Sequence, residues 1–169
     1  MLKTLRQIAA VGIATEPPPP ADESLRLRAA LQARVLTILG RALCIRAVDA
    51  GSCNGCELEI HALSNAFYDL ERFGLRFVAS PRHADILMVT GPVTRNMREG
   101  LERAYVATPD PKWVVAVGDC ARDGGLFAGS YAVTGGVSQV VPVDLHIRGC
   151  PPRPVEILKG LIALLEAQP

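Results

Sequence analysis

A chain of 169 residues, 49% apolar and 21% charged, has the length of one ordinary domain. Its 18 basic and 17 acidic side chains leave a formal charge of +1, which gives no strongly basic face for nucleic acid. No apolar run approaches the ~18–20 residues needed to span a bilayer, and aromatic residues at 5% are too few for stacking platforms, so the five cysteines carry the chemical information.

Met1 to Thr15 has a basic start, Lys3 and Arg6, and a short apolar stretch from Ile8 to Ala14. It shows no small-x-small cleavage site before Glu16 and no twin-arginine pair, so the thiols are expected in a reducing cytoplasm. Pro17 to Pro20 reads as extended polyproline II, which separates this head from the rest. Residues 22–40 read as a helix capped by Asp22 or Ser24, with Leu27, Leu31, Val35, Ile38 and Leu39 on one stripe. Arg26, Arg28, Arg34 and Arg41 lie off that stripe. Residues 1–46 hold seven basic and three acidic side chains, a local net of +4. Two readings fit: a solvated basic face over a stripe docked on its own domain, or a docking arm for a partner subunit or anionic lipid. Residues 1–40 are thus expected to form an N-terminal extension and 41–169 the domain proper.

After Gly40 strands and helices alternate. Strands are predicted at Leu43–Val48, Leu75–Ala79, Asp85–Thr90, Lys112–Val117 and Gln139–Ile147, and helices at Glu57–Phe73, Met97–Val106 and Val155–Ala167. Short apolar runs alternating with amphipathic helices imply an α/β fold, a doubly wound parallel sheet.

On that map Cys53 and Cys56 follow the first strand and open a helix, Cys120 follows the fourth strand, and Cys150 the fifth. All four sit past the C-terminal end of a strand, the edge of an open α/β sheet where ligands bind. Separations of 64 residues (56 to 120) and 30 residues (120 to 150) are therefore compatible with one spatial cluster. The loops are glycine-rich, with Gly51, Gly55, Gly118, Gly124, Gly125 and Gly149, so backbone N–H groups can turn inward and stabilise thiolate charge. Cys150 followed by proline echoes ferredoxin-type runs, and one 4Fe–4S cluster on four cysteines fits the pattern. A redox dithiol at Cys53 and Cys56 would leave Cys120 and Cys150 unexplained. Structural zinc usually takes two close pairs, and here there is one pair and two singles. A flavin site would want a Ser/Thr-rich phosphate loop after the first strand, which is absent. Cys44 lies inside a strand and reads as a buried small hydrophobe.

Five segments, Asp49-Ala-Gly-Ser-Cys-Asn-Gly-Cys-Glu-Leu-Glu-Ile, Glu71-Arg-Phe-Gly, Ala79-Ser-Pro-Arg-His-Ala-Asp, Val114-Val-Ala-Val-Gly-Asp-Cys and Gly149-Cys-Pro-Pro-Arg-Pro, resemble a known family. It is the small subunit of membrane-bound, energy-converting nickel–iron hydrogenases, homologous to the 20 kDa subunit of the respiratory NADH:quinone oxidoreductase, complex I. The resemblance implies a flavodoxin-like fold carrying one 4Fe–4S cluster on Cys53, Cys56, Cys120 and Cys150, and an electron-transfer role rather than bond chemistry. It implies as partners a hydrogenase-type large subunit, with the nickel–iron site or a quinone cavity, a ferredoxin-like electron-transfer subunit and membrane subunits. The expected place is peripheral, on the cytoplasmic side of the cell membrane. Complex I subunits carry two adjacent cysteines where this chain has Cys-x-x-Cys. The chain also ends soon after Gly149-Cys-Pro-Pro, without a second cluster domain, so the energy-converting branch is expected. The alternative is a complex I-type subunit passing electrons to quinone; a thioredoxin-like dithiol protein is more distant. Glu57, directly after Cys56, is placed to couple a proton to cluster reduction and equally suits the positive end of a helix dipole. His61, His83, Arg122 and Arg148 are candidate donors near the cluster or partner contacts, and the loop from Gly91 to Met97 would face the large subunit.

Overall fold

A computed structural model describes residues 2–11 and 23–167. After the helix α1 (Leu2–Val11) and the helix α2 (Glu23–Leu39) come β1 (Leu43–Asp49), α3 (Gly55–Ala62), β2 (Leu75–Phe77) and β3 (Ile86–Thr90). Then follow β4 (Val93–Thr94), α4 (Arg95–Ala107), β5 (Trp113–Val117), α5 (Asp119–Asp123), β6 (Val133–Gly135), β7 (Leu145–Ile147) and α6 (Pro154–Glu166). The central sheet has the order β2-β1-β3-β5-β7 with every pairing parallel, the flavodoxin-like arrangement. Strands β3 and β5 are buried along their whole length, as their unbroken apolar runs require when helices cover both faces of a parallel sheet.

One face carries α2, α3 and α6, whose Leu31, Val35, Ile60, Leu158 and Leu161 pack with Ile45, Ile86 and Val115. The other face carries α4 and α5, with Leu101 and Ala121 against Leu87, Val89 and Ala116. Leu31 and Val35 are fully buried, so the stripe of α2 is docked on its own domain. The off-stripe arginines do not all form the expected solvated face. Arg28 is only 5% exposed, donates to the carbonyls of Phe67 and Tyr68, and lies 5.1–5.9 Å from the ring centres of Phe67, Tyr68 and Phe73. Arg34 Nε donates to the Leu165 carbonyl at 3.3 Å. Two cations thus tie α2 to its neighbours. The four-proline run and Asp22 lie outside the described residues, as does the side chain of Ser24.

Other differences have local causes. The helix expected over 57–73 stops at Ala62, because Asn65 Oδ1 accepts the N–H groups of Phe67 and Tyr68 (2.8 and 2.9 Å) and holds a turn instead. Asp69 then takes φ 45°, and a short 3-10 turn at Leu70–Phe73 ends on Gly74 at φ 80°. Of the strand expected over 139–147 only Leu145–Ile147 pairs; Val137–Gln139 is a 3-10 turn, and Pro142 has no N–H for a ladder. The antiparallel pair β4–β6 and the short α5 had no clear periodic signal.

At the N-terminal end of the sheet Asp85 joins β1 to the approach of β3. Its Oδ2 accepts the Cys44 N–H and an Arg41 N–H, both at 2.9 Å, and its Oδ1 accepts Arg41 at 2.6 Å. Cys44 is buried as expected, at 3% exposure, and its sulfur also accepts from Arg76 Nε at 3.3 Å.

Replacing Arg28 with Met removes a buried charged donor and strands two carbonyls. The expected loss is about 2–4 kcal/mol of unfolding free energy, read from urea titrations. The conservative change Arg28→Lys should recover little of that loss, because an ammonium lacks the planar guanidinium fork.

Candidate functional site

Each cysteine-bearing loop is shaped by a carboxylate. At the end of β1, Asp49 Oδ1 accepts the N–H groups of Gly51 and Ser52, both at 2.7 Å, and Ser52 Oγ accepts that of Asn54 at 3.0 Å. Asn54 takes φ 70°, and α3 starts directly behind it. Cys53 therefore lies in the loop and Cys56 in the first helical turn. At the end of β5, the Gly118 N–H donates to the Ile147 carbonyl (2.8 Å) and the Asp119 N–H to the Gly149 carbonyl (2.9 Å). Asp119 Oδ1 accepts the Gly149 N–H in return at 3.3 Å, which locks the Cys120 loop to the Cys150 loop. Past Cys120, Asp123 Oδ1 accepts the Gly125 N–H at 2.9 Å and fixes the turn that follows α5.

These loops bring Cys53, Cys56, Cys120 and Cys150 around one hollow of about 130 Å³, with Gly91, Asp119 and Pro151 also in its wall. That is roughly ten times the ~10–15 Å³ one water needs. Glycine is required beside two of the sulfurs. At Gly118 (φ +90°) a Cβ would lie 2.6 Å from Cys56 Sγ, and at Gly125 (φ +50°) 2.8 Å from Cys120 Sγ. Cys53 and Cys150 are exposed, while Cys56 and Cys120 are half-buried and close the hollow toward the sheet.

Burial pushes the Cys56 thiol up to about 12, with the negative charges of Glu57, Cys120, Cys53 and Cys150 adding to it. The Cys120 thiol is raised too, by burial first and then by Cys150, while the Leu126 N–H donating to its sulfur works in the opposite direction. Cys56 and Cys120 thus both sit within electrostatic reach of Cys53 and Cys150. The donor set is short of positive charge, and a cationic group with several metal centres is what would stabilise four thiolates there. Among the described residues no three His, Cys, Asp or Glu side chains converge to hold one metal ion. The thiols ring a space instead of meeting at a point, which fits a polyatomic group.

Both carboxylate oxygens of Glu57 are buried with no hydrogen-bond partner among the described residues. Arg122 pairs with Asp123, and with Arg148 and Asp119 it borders an open hollow beside the Cys120 and Cys150 loops. His61 lines a separate hollow off the far end of α3, and His83 precedes β3 at the opposite end of the sheet from the cysteines. The segment from Gly91 leaves the ligand edge as β4; Thr94 Oγ1 donates to the Ala50 carbonyl at 3.1 Å and ties it to the Cys53 loop. The roles of Asp49, Asp119 and Asp123 escaped the sequence reading. Their signal was an aspartate followed two residues on by glycine at Asp49 and Asp123, the mark of a side chain capping its own turn.

With this geometry in hand, comparison with known proteins gives a consistent answer. Residues 53–164 match the family described as NADH ubiquinone oxidoreductase, 20 Kd subunit. Formate hydrogenlyase subunit 7 of Escherichia coli is 46% identical over 148 residues, which is 88% of this chain and 57% of that protein. The probable membrane-bound hydrogenase subunit mbhJ of Pyrococcus furiosus is 46% identical over 134 residues, 79% of this chain and 80% of that one. Against the first of these relatives, then, this chain spans little more than half the length. A chain in the structure of the membrane-bound sulfane sulfur reductase, an archaeal respiratory membrane complex, superposes with a TM-score of 0.66 at 34% identity, covering 86% of this chain and 75% of that one.

Two outcomes follow for protein stripped of metal. Iodoacetamide at pH 8 should label Cys53 and Cys150 well before Cys56, whose thiol stays protonated, as peptide mass mapping would show. Folding raises the Cys56 pKa from 9.0 to about 12, so the folded state favours the proton; that stabilisation is complete below about pH 9 and is lost as the pH climbs toward 12. Thermal melts across that window should fall for the wild type and fall less for Cys56→Ala.

Proposed function

The chain belongs to the family of the 20 kDa subunit of NADH ubiquinone oxidoreductase, and on that premise we propose that it is the electron-transfer subunit of a membrane-associated hydrogenase complex. In this reading one 4Fe–4S cluster is held by Cys53, Cys56, Cys120 and Cys150. The observation that supports it is the convergence of four thiols from three separate loops on one glycine-walled hollow. Residues 41–169 form the cluster-bearing domain and residues 1–40 its extension.

When bound, the cluster supplies a one-electron carrier whose potential, within roughly −700 to +450 mV, is set by charge, hydrogen bonds to sulfur and exposure. The chain sets each of those. Cys56 and Cys120 close the sheet side of the hollow, and Cys53 and Cys150 leave the opposite side open to a partner. The Leu126 N–H stabilises negative charge on Cys120. Asp49 and Asp119 hold the loops so that the sulfurs need not reorganise when an electron arrives or leaves. Glu57, with two unpartnered buried oxygens directly beside Cys56, is the residue proposed to hold the proton that accompanies reduction.

The partners of this reading are a hydrogenase-type large subunit on the open side, a ferredoxin-like electron-transfer subunit and membrane subunits that couple hydrogen evolution or oxidation to ion translocation. No helix among the described residues is long and apolar enough to cross a membrane; the proposed place is peripheral, on the cytoplasmic side of the cell membrane. The family description favours a second reading, a subunit that passes electrons to quinone. The Cys-x-x-Cys spacing favours the hydrogenase branch.

Anaerobically purified protein should contain about four iron and four acid-labile sulfide per chain, and dithionite should produce a fast-relaxing cluster signal in EPR. Cys120→Ala should destroy that signal; a chain that keeps dithiol oxidoreductase activity in Cys120→Ala and never holds iron would sink the reading. For Glu57→Gln the midpoint potential should lose most of a slope of up to ~59 mV per pH unit. An unchanged slope would remove Glu57 from the proton's path.

A further inference from the structure

Helix α1 is amphipathic in its sequence. Leu2, Leu5, Ile8 and Ala9 recur at steps of three and four, while Lys3, Arg6 and Gln7 fall between them. Residues 1–15 hold two basic side chains, Lys3 and Arg6, and no acidic one. Leu2 is 71% exposed and Ala9 is exposed as well, so the domain covers that face at neither end; Lys3 and Arg6 are exposed too. The helix has 10 residues, and isolated helices shorter than about 12–15 residues are marginal in water. A surface that accepts the apolar face would hold it in place.

Charge decides what that surface is. Another exposed apolar face of the extension lies on α2, where Leu25, Ala29, Ala33 and Leu36 are all exposed. It does not suit α1. Arg26 is exposed beside it, and no aspartate or glutamate occurs between Glu23 and Asp49, so Lys3 and Arg6 would meet charge of their own sign. The two cations and the apolar face together call for a surface that is negative above and apolar beneath. An anionic lipid bilayer has that layering, with phosphate headgroups over hydrocarbon. Length then sets the mode. At 1.5 Å per residue α1 is ~15 Å long, about half of the ~30 Å hydrocarbon core, so it can lie along the surface but not cross it.

We propose that α1 is an interfacial anchor, lying in the headgroup region of an anionic membrane with its apolar face inward and Lys3 and Arg6 on lipid phosphates. The inference rests on the peripheral placement proposed above and deepens it, by naming the part of the chain that touches lipid. It uses no cysteine and not Glu57, so iron content measured on the same samples tells a failure of the cluster reading from a failure of this one.

The full chain, purified anaerobically, is floated on density gradients with vesicles of phosphatidylcholine alone and of phosphatidylcholine and phosphatidylglycerol in equal parts. The same runs are made with Leu2→Gln and with the double variant Lys3→Gln/Arg6→Gln. The wild type should float with the anionic vesicles and stay behind with the neutral ones, and added salt should release it. The double variant should bind about 10- to 30-fold more weakly, because each cation near the surface adds its own attraction. Leu2→Gln should bind about 3- to 10-fold more weakly, for one apolar side chain lost from the inserted face. Both changes precede the domain, so melting temperature, iron content and visible absorbance should stay as in the wild type. Flotation with neither vesicle, as expected where a partner subunit covers α1, overturns the anchor. Equal binding to neutral vesicles overturns it, and so does full affinity in either folded variant. If one variant fails to fold, the other variant and the salt dependence of the wild type decide the matter.

Discussion

Of the four thiols held around one small hollow, Cys56 and Cys120 resist ionisation. Both are partly withdrawn from water and both feel the charge of neighbouring cysteines, as the thiol of Cys56, raised to about 12, makes plain. A flexible chain would relieve this by letting the sulfurs drift apart. Here the three loops leave the same edge of one parallel sheet; the Cys120 and Cys150 loops are bonded to each other, and the Cys53 loop is tied to the segment that carries β4.

That rigidity is built in layers. Strands β3 and β5 are buried throughout and give the edge its straight base. Helices α2 and α6 close one face, with Arg28 and Arg34 fastening α2 by donating to backbone carbonyls on other segments. Above the strands, aspartates replace missing backbone partners: Asp49 for the Cys53 loop and Asp119 for the Cys150 loop. Glycines then let the loops close to within a methyl group of the sulfurs, at Gly118 and Gly125.

The two faces of α3 show how one helix serves different ends. Its first turn presents Cys56 to the thiol-ringed hollow, and its last turn presents Ile60 and His61 to the separate hollow off its far end. The short β2 makes the second possible, since a strand that continued along β1 would cover Ala47 and fill the space.

Much of this was legible in the residues. Unbroken apolar runs at 86–90 and 113–117 set the parallel sheet, and strand-then-cysteine at three places set the site, because a parallel sheet sends all such loops to one edge. Periodicity failed where side chains compete with the backbone. Asn65 ends α3 early, Pro142 shortens the last strand, and β4 and β6 are too short to show alternation. The sequence by itself determined the fold class, the four cysteines and their common edge, since these depend on residue type and order along the chain. Only the tertiary structure decided that Arg28 is buried instead of solvated and that Glu57 has no partner among the described residues. Those facts depend on which distant segments pack together, and burial and pairing are properties of that packing, not of any one stretch of chain.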